Sequence, residues 1–181
     1  MVMLSVLFIL FFSIVLHEIA HGVVAYWNGD PTAKQSGRLT LNPIPHIDLV
    51  GSILLPLLLV VFRSPFLIGW AKPVPYNPAN FKNVPRGTFL VALAGVAVNA
   101  LLALFFAFLF RISAGGQMGV ILVQAVSLNI MLALFNLLPI PPLDGSKALS
   151  VFLPPDLRRS YLSLERAGCV LILVILYVGL L

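Results

Sequence analysis

The chain is predicted to be an all-α polytopic membrane protein, and three observations carry that expectation. Of its 181 residues 60% are hydrophobic and 9% charged, against about 25% charged in an ordinary soluble domain. Three uninterrupted apolar stretches reach the ~20 residues that a membrane helix needs. The polar stretches between them are short, rich in proline and basic, and the net charge is +5, as expected where Lys and Arg collect in cytoplasmic loops. The expected architecture is one membrane-embedded domain over 1–181 with spans at about 2–26, 88–110, 119–138 and 161–181. A re-entrant or membrane-associated segment at 49–71, a C-terminal helix and short cytoplasmic β-strands complete it. No interleaving of basic and aromatic residues points to nucleic acid. Cys169 is the only cysteine, which excludes an intrachain disulfide.

The first stretch, Val2 to Tyr26, lacks a basic start and a small-residue cleavage site before His17. Its apolar run exceeds the roughly 7–15 residues of a secretory signal, so it reads as a retained span. Asn28 to Asp48 follows, where the alternation at Arg38, Leu39, Thr40 and Leu41 predicts a short strand ended by Pro43 and Pro45. Leu49 to Ala71 is apolar but broken by Pro56 and Pro65, and proline inside a helix removes a hydrogen bond and kinks it. Gly69 to Pro85, "GWAKPVPYNPANFKNVP", has too many prolines for a helix and reads as extended chain. Thr88 to Phe110 and Gly119 to Leu138 carry no charge. Gly168 to Leu181 is too short to span unless Tyr161 to Ala167 extends it.

The first span contains "VLHEIAHGV", with His17, Glu18 and His21 as its only ionisable side chains. A charged group at the centre of a membrane helix costs about 2.5–3.5 kcal/mol on insertion scales, so their presence needs a purpose. Residues four apart share a helix face, so His17 and His21 can bind one metal, with Glu18 beside it. In this H-E-x-x-H pattern the two imidazoles hold zinc and the glutamate is the general base. The competing reading is a polar patch that lines a water-filled cavity or pairs helices. A catalytic zinc takes a third protein ligand and keeps one position for water. Among Asp30, Asp48, Asp144, Asp156 and Glu165, Asp144 stands out. It follows Pro139, Pro141 and Pro142, which break the third long stretch, and irregular backbone at membrane depth is tolerated where it lines a cavity. Asp144 could equally be a loop residue in an Asp-Gly turn.

"HEIAH", then "ALAGVAVNALLA" at Ala92 to Ala103, then "NLLPIPPLDG" at Asn136 to Gly145 resemble the site-2 protease family of intramembrane zinc metalloproteases. The resemblance runs from His17 to Leu149. "GRLTLNPIPHID" and "GWAKPVPYNP" look like its short prokaryotic branch, without a PDZ-like domain. It implies one Zn2+ held by His17, His21 and Asp144, with Glu18 as catalytic base. Asn136 matches a family asparagine that steadies the substrate or the oxyanion. Two departures are visible. Val96 stands after Gly95 where the family usually has proline, and Ser146 follows Gly145 where it often has a second glycine. His46 and Asp48, in "PHID", are further candidates near the metal, although a polar interfacial loop explains them as well.

The shared metal constrains topology. His17 and Asp144 can meet only if an even number of crossings lies between them, and two long stretches already supply two. Leu49 to Ala71 should therefore enter and leave on one side. That arrangement also gathers Lys34, Arg38, Lys72, Lys82, Arg86, Lys147, Arg158, Arg159 and Arg166 on the cytoplasmic side, opposite Arg111. Arg63 is its awkward member.

The implied activity is hydrolysis of peptide bonds in or near the transmembrane helix of another membrane protein, with the site toward the cytoplasm of the cell membrane. "GWAKPVPY" is the candidate edge that would hold an unwound substrate by strand addition. The rivals are a non-enzymatic zinc carrier or transporter and an inactive helix-binding scaffold with a structural metal. Neither would need Glu18 between the two histidines.

Overall fold

The computed structural model describes residues 2–62, 69–113, 115–165 and 168. Helix α1 runs Val2–Trp27 and the short α2 Thr32–Gln35. A wide π-helical turn at Leu49–Leu54 leads into α3, Leu55–Val61. Helix α4 is Val84–Ile112, α5 is Gly116–Leu137, α6 is Asp144–Ser150 and α7 is Pro155–Ser163.

Among the described residues helices α1, α4 and α5 are long and apolar enough to cross a membrane, as expected for three of the four stretches. Helix α4 starts earlier than the hydropathy suggests because Asn83 caps it, its side chain accepting from Arg86 N–H at 3.0 Å, with Pro85 in the first turn. Helix α4 packs against both α1 and α5. Its buried face is mostly small residues, Gly87, Ala92, Ala94, Gly95 and Ala103, with Val91 and Asn99 among them. Helices in lipid gain no hydrophobic drive from associating, so close backbone approach over small side chains supplies the attraction. The large apolar residues Leu101, Leu104, Phe105, Phe108 and Leu134 point outward, as in a bundle whose solvent is hydrocarbon.

No strand forms among the described residues. The alternation at Arg38–Leu41 yields bends instead. The nearby extended run, 69–77, has already committed its inward N–H groups elsewhere: Trp70 to Gly51 O (3.2 Å), Lys72 to His46 O (2.9 Å) and Val74 to Glu18. Period-two alternation makes a strand only where a partner edge is free. Pro73 and Pro75 fill the alternate positions, so the outward side of this run is nearly free of donors.

The two flanks of the 49–71 segment meet. Besides the Trp70–Gly51 bond, Ser52 Oγ donates to Trp70 O at 2.8 Å. These bonds hold Gly51 and Ser52 against Trp70. Arg63 and most of the expected C-terminal helix at 161–181 lie outside the described residues. Asp30 ties the end of α1 to the chain before α4. It is fully buried and accepts from Thr32 Oγ (2.5 Å), Asn80 Nδ2 (2.7 Å) and Asn77 N (2.6 Å).

Candidate metal centre

One turn of α1 carries His17 and His21, and the start of α6 carries Asp144; all three are buried. His17 Nε2 and His21 Nε2 each lie 3.1 Å from Asp144 Oδ2 and 3.1 Å from one another. A tetrahedral zinc with bonds of about 2.0 Å sets its ligand atoms about 3.3 Å apart, so a metal sits over this triangle with little adjustment. Protons alone satisfy it poorly, since three electron-rich atoms converge on one point. His21 Nδ1 donates to Val91 O at 2.7 Å. A carbonyl only accepts, so the proton is on Nδ1 and the Nε2 lone pair faces the site. The donor set of two imidazoles and one carboxylate therefore fits Zn2+.

Local sequence explains how the groups meet. The His17 ring lies so close to α4 that any side chain in place of Gly95 would overlap it. Gly145 does the same for the other wall. A β-carbon there would strike the carbonyls of Leu137 and Leu138, so glycine lets the Asp144 turn dock under the end of α5.

The other expected residues divide. Glu18 stands beside the triangle but outside it, its Oε2 accepting from Val74 N–H at 2.9 Å. Asn136, on the last turn of α5, donates its amide back to Leu132 O at 3.0 Å. His46 is fully buried and bonds Thr40 O at 3.0 Å, while Asp48 caps the π-helical turn through Val50 and Gly51 N–H. Both have scaffold duties and neither reaches the triangle. Three partners escaped the sequence reading: the Val91 carbonyl, the Val74 N–H, and Lys147, whose Nζ is 3.4 Å from Asp144 Oδ1. Only Lys147 had a legible signal, three residues after the aspartate on one helix.

Comparison with known proteins places this geometry. Over 173 residues, 90% of this chain, it is 39% identical to YwhC of Bacillus subtilis, a protein whose name assigns it to the zinc metalloproteases, and covers 75% of that protein. Residues 113–179 match the family model "Peptidase family M50". The chain belongs to peptidase family M50. This is the site-2 protease family that the motifs resemble, and membership makes the chain a zinc metallopeptidase of the membrane. Two mycobacterial relatives, named as zinc metalloproteases Rip2, are similar: 31% identity over 91% of this chain for Mycolicibacterium smegmatis, and 33% over 90% for Mycobacterium tuberculosis. The chain spans 63% and 62% of their lengths. No solved structure gives a significant match.

Proposed function

We propose that this M50 peptidase cuts peptide bonds in or near the transmembrane helices of other membrane proteins, with His17, His21 and Asp144 holding the metal and Glu18 as base. The observation that carries the reading is the buried 3.1 Å triangle with Glu18 beside it and outside it. Bound there, zinc would polarise the scissile carbonyl and lower the pKa of a water toward ~7. Glu18 takes a proton from the attacking water, the water oxygen bonds the carbonyl carbon, and the C–N bond breaks. The same carboxyl then returns the proton to the leaving amine. The Val74 N–H holds Oε2 of Glu18 in place, which leaves the other carboxylate oxygen for the water. Asn136 is in the assigned role of steadying substrate or oxyanion. It lies on the last turn of α5, whose end touches the Asp144–Gly145 turn.

A membrane helix hides its carbonyls in internal hydrogen bonds, so a substrate must unwind before it is cut. The extended run at 69–77 passes over Glu18 and supports a docking edge. With Pro73 and Pro75 on its outward side it offers carbonyl acceptors more than donors, so pairing would draw on substrate N–H groups. The site faces the cytoplasm in this reading, and residues 49–71 form a re-entrant segment. The hydrogen bonds from Trp70 and Ser52 that join its flanks support that assignment.

Cleavage of a reconstituted membrane substrate by the parent, with loss in Glu18→Gln at unchanged zinc content, tests the activity. Zinc transport without cleavage would replace it with the carrier reading. For topology, cysteines at Gln35 and Lys82 in a Cys169→Ser background should both resist a membrane-impermeant reagent until the membrane is opened. Labelling of only one would mean a complete crossing.

A further inference from the structure

Helices α1 and α4 run antiparallel in a fixed register. His21 meets Val91, and four residues earlier on α1 His17 meets Gly95, four residues later on α4. The next step in the same register sets Ser13 level with Asn99, one turn or about 6 Å beyond the His17 level. Ser13 is 2% exposed, and Asn99 and Asn129 of α5 are 0% exposed. Asn129 Nδ2 donates to Ser13 Oγ at 3.0 Å and to Ala125 O at 2.9 Å. Ser13 and Asn129 are thus joined across two helices, and the register brings the buried Asn99 of α4 to the same depth.

Within this layer Asn99 Oδ1, Asn99 Nδ2 and Asn129 Oδ1 have no hydrogen-bond partner among the described residues, and neither does His17 Nδ1 just above them. Orphaned polar atoms are costly at this depth, about 1–3 kcal/mol each even in a protein interior. Ordered water is the usual partner of such atoms, typically making about three bonds. Side chains lean toward the N-terminus of their own helix. His17 therefore leans toward the Ser13 level, and Asn99, on an antiparallel helix, leans back toward His17. A histidine that ligates a metal gives its other N–H to an acceptor that fixes the ring. His21 has the Val91 carbonyl, whereas His17 has no such partner among the described residues.

We propose that Ser13, Asn99 and Asn129 form a water-holding layer inside the membrane bundle, and that Asn99 is a positioning residue for His17 through that water. One water accepts from His17 Nδ1–H and donates to Asn99 Oδ1 and Asn129 Oδ1, which engages three of the four orphaned atoms. The Asn99 amide hydrogens remain for a second water. The proton is thereby kept on Nδ1 of His17 and its Nε2 lone pair turned to the metal. This rests on His17 being a ligand.

The test is zinc affinity of the purified full chain by competition with a chelator, beside the melting temperature of the metal-free protein. Asn99→Ala should weaken zinc binding about 10–100-fold with the metal-free melting temperature unchanged. Asn99→Ser, which keeps a hydroxyl to hold the water, should recover most of the loss. Asn129→Ala should act in the same direction by less, and carries the test if Asn99→Ala does not fold. Gln124→Ala, at an exposed site on α5, should change nothing. If Asn99→Ala and Asn129→Ala bind zinc within twofold of the parent while His17→Ala loses it, the water layer is overturned and the ligand assignment stands. If His17→Ala also keeps its zinc, the ligand reading itself fails. An equal loss in Gln124→Ala would overturn the proposal as well.

Discussion

The two walls of the metal site are built by opposite means. One is a single turn of regular helix, where His17, Glu18 and His21 project from α1 at spacings set by the helix itself. The other is proline-broken chain, the extended run at 69–77, which supplies the Val74 N–H, and the turn that leads into α6 and sets Asp144 at the first position of that helix. A regular helix spends its backbone N–H groups on itself, so it places side chains accurately and has no N–H left for a carboxylate or a substrate. Irregular chain places side chains less predictably, but its backbone groups are free to bond a carboxylate or a substrate. A peptidase within a membrane needs both, and here they are divided between the walls.

The largest expected effect comes from breaking the triangle. His17→Ala, His21→Ala and Asp144→Ala should each lose bound zinc on dialysis and drop cleavage to background, as read by elemental analysis and a cleavage assay. If the Asp144 variant alone held zinc as tightly as the parent, the irregular wall would contribute no ligand. Gly95→Ala should follow closely, because its methyl group would displace the His17 ring; zinc affinity is expected to fall at least about tenfold, in line with the loss of a ligand's support.

Next is the base, which separates chemistry from metal binding within the helical wall. Glu18→Gln should retain zinc and lose about 10²–10⁴-fold in kcat. Val74→Pro then probes the irregular wall. It removes the one N–H that holds Glu18, and a hydrogen bond to a charged group is worth about 1.5–3 kcal/mol. A kcat loss of about tenfold or more at unchanged zinc content is expected. Unchanged kcat would mean that the helix alone positions the base.

The smallest effect concerns the clamp that holds the irregular wall in place. Burial raises the Asp30 carboxyl, but hydrogen bonds from Thr32, Asn80 and Asn77 outweigh it and lower its pKa below the ordinary 3.8. A depressed folded-state pKa stabilises the fold above the ordinary value and loses that contribution as pH falls through the lowered one. Asp30→Asn should therefore melt a few degrees lower at neutral pH, and the gap to the parent should close below about pH 3.8. A gap independent of pH would assign the loss to geometry and not to charge.

The same division separates what was legible in the sequence from what was not. Three spans and the facing histidines could be read because each depends on local periodicity: twenty apolar residues, or four residues along one helix. The strand expected at Arg38–Leu41 failed because pairing depends on a distant partner, and the available run had spent its donors on Gly51, His46 and Glu18. Asp144 could be singled out from its prolines and glycine, and family resemblance gave it a role. Its distance of 3.1 Å from both imidazoles was decided only by packing, through glycines at 95 and 145 that let α4 and the α6 turn close on their neighbours. In the sequence Ser13, Asn99 and Asn129 are isolated polar residues in three separate apolar stretches. Only the antiparallel register of α1 and α4, with α5 against them, sets them at one depth, because a helix fixes positions along its own axis while the alignment between helices is set by which side chains let them approach.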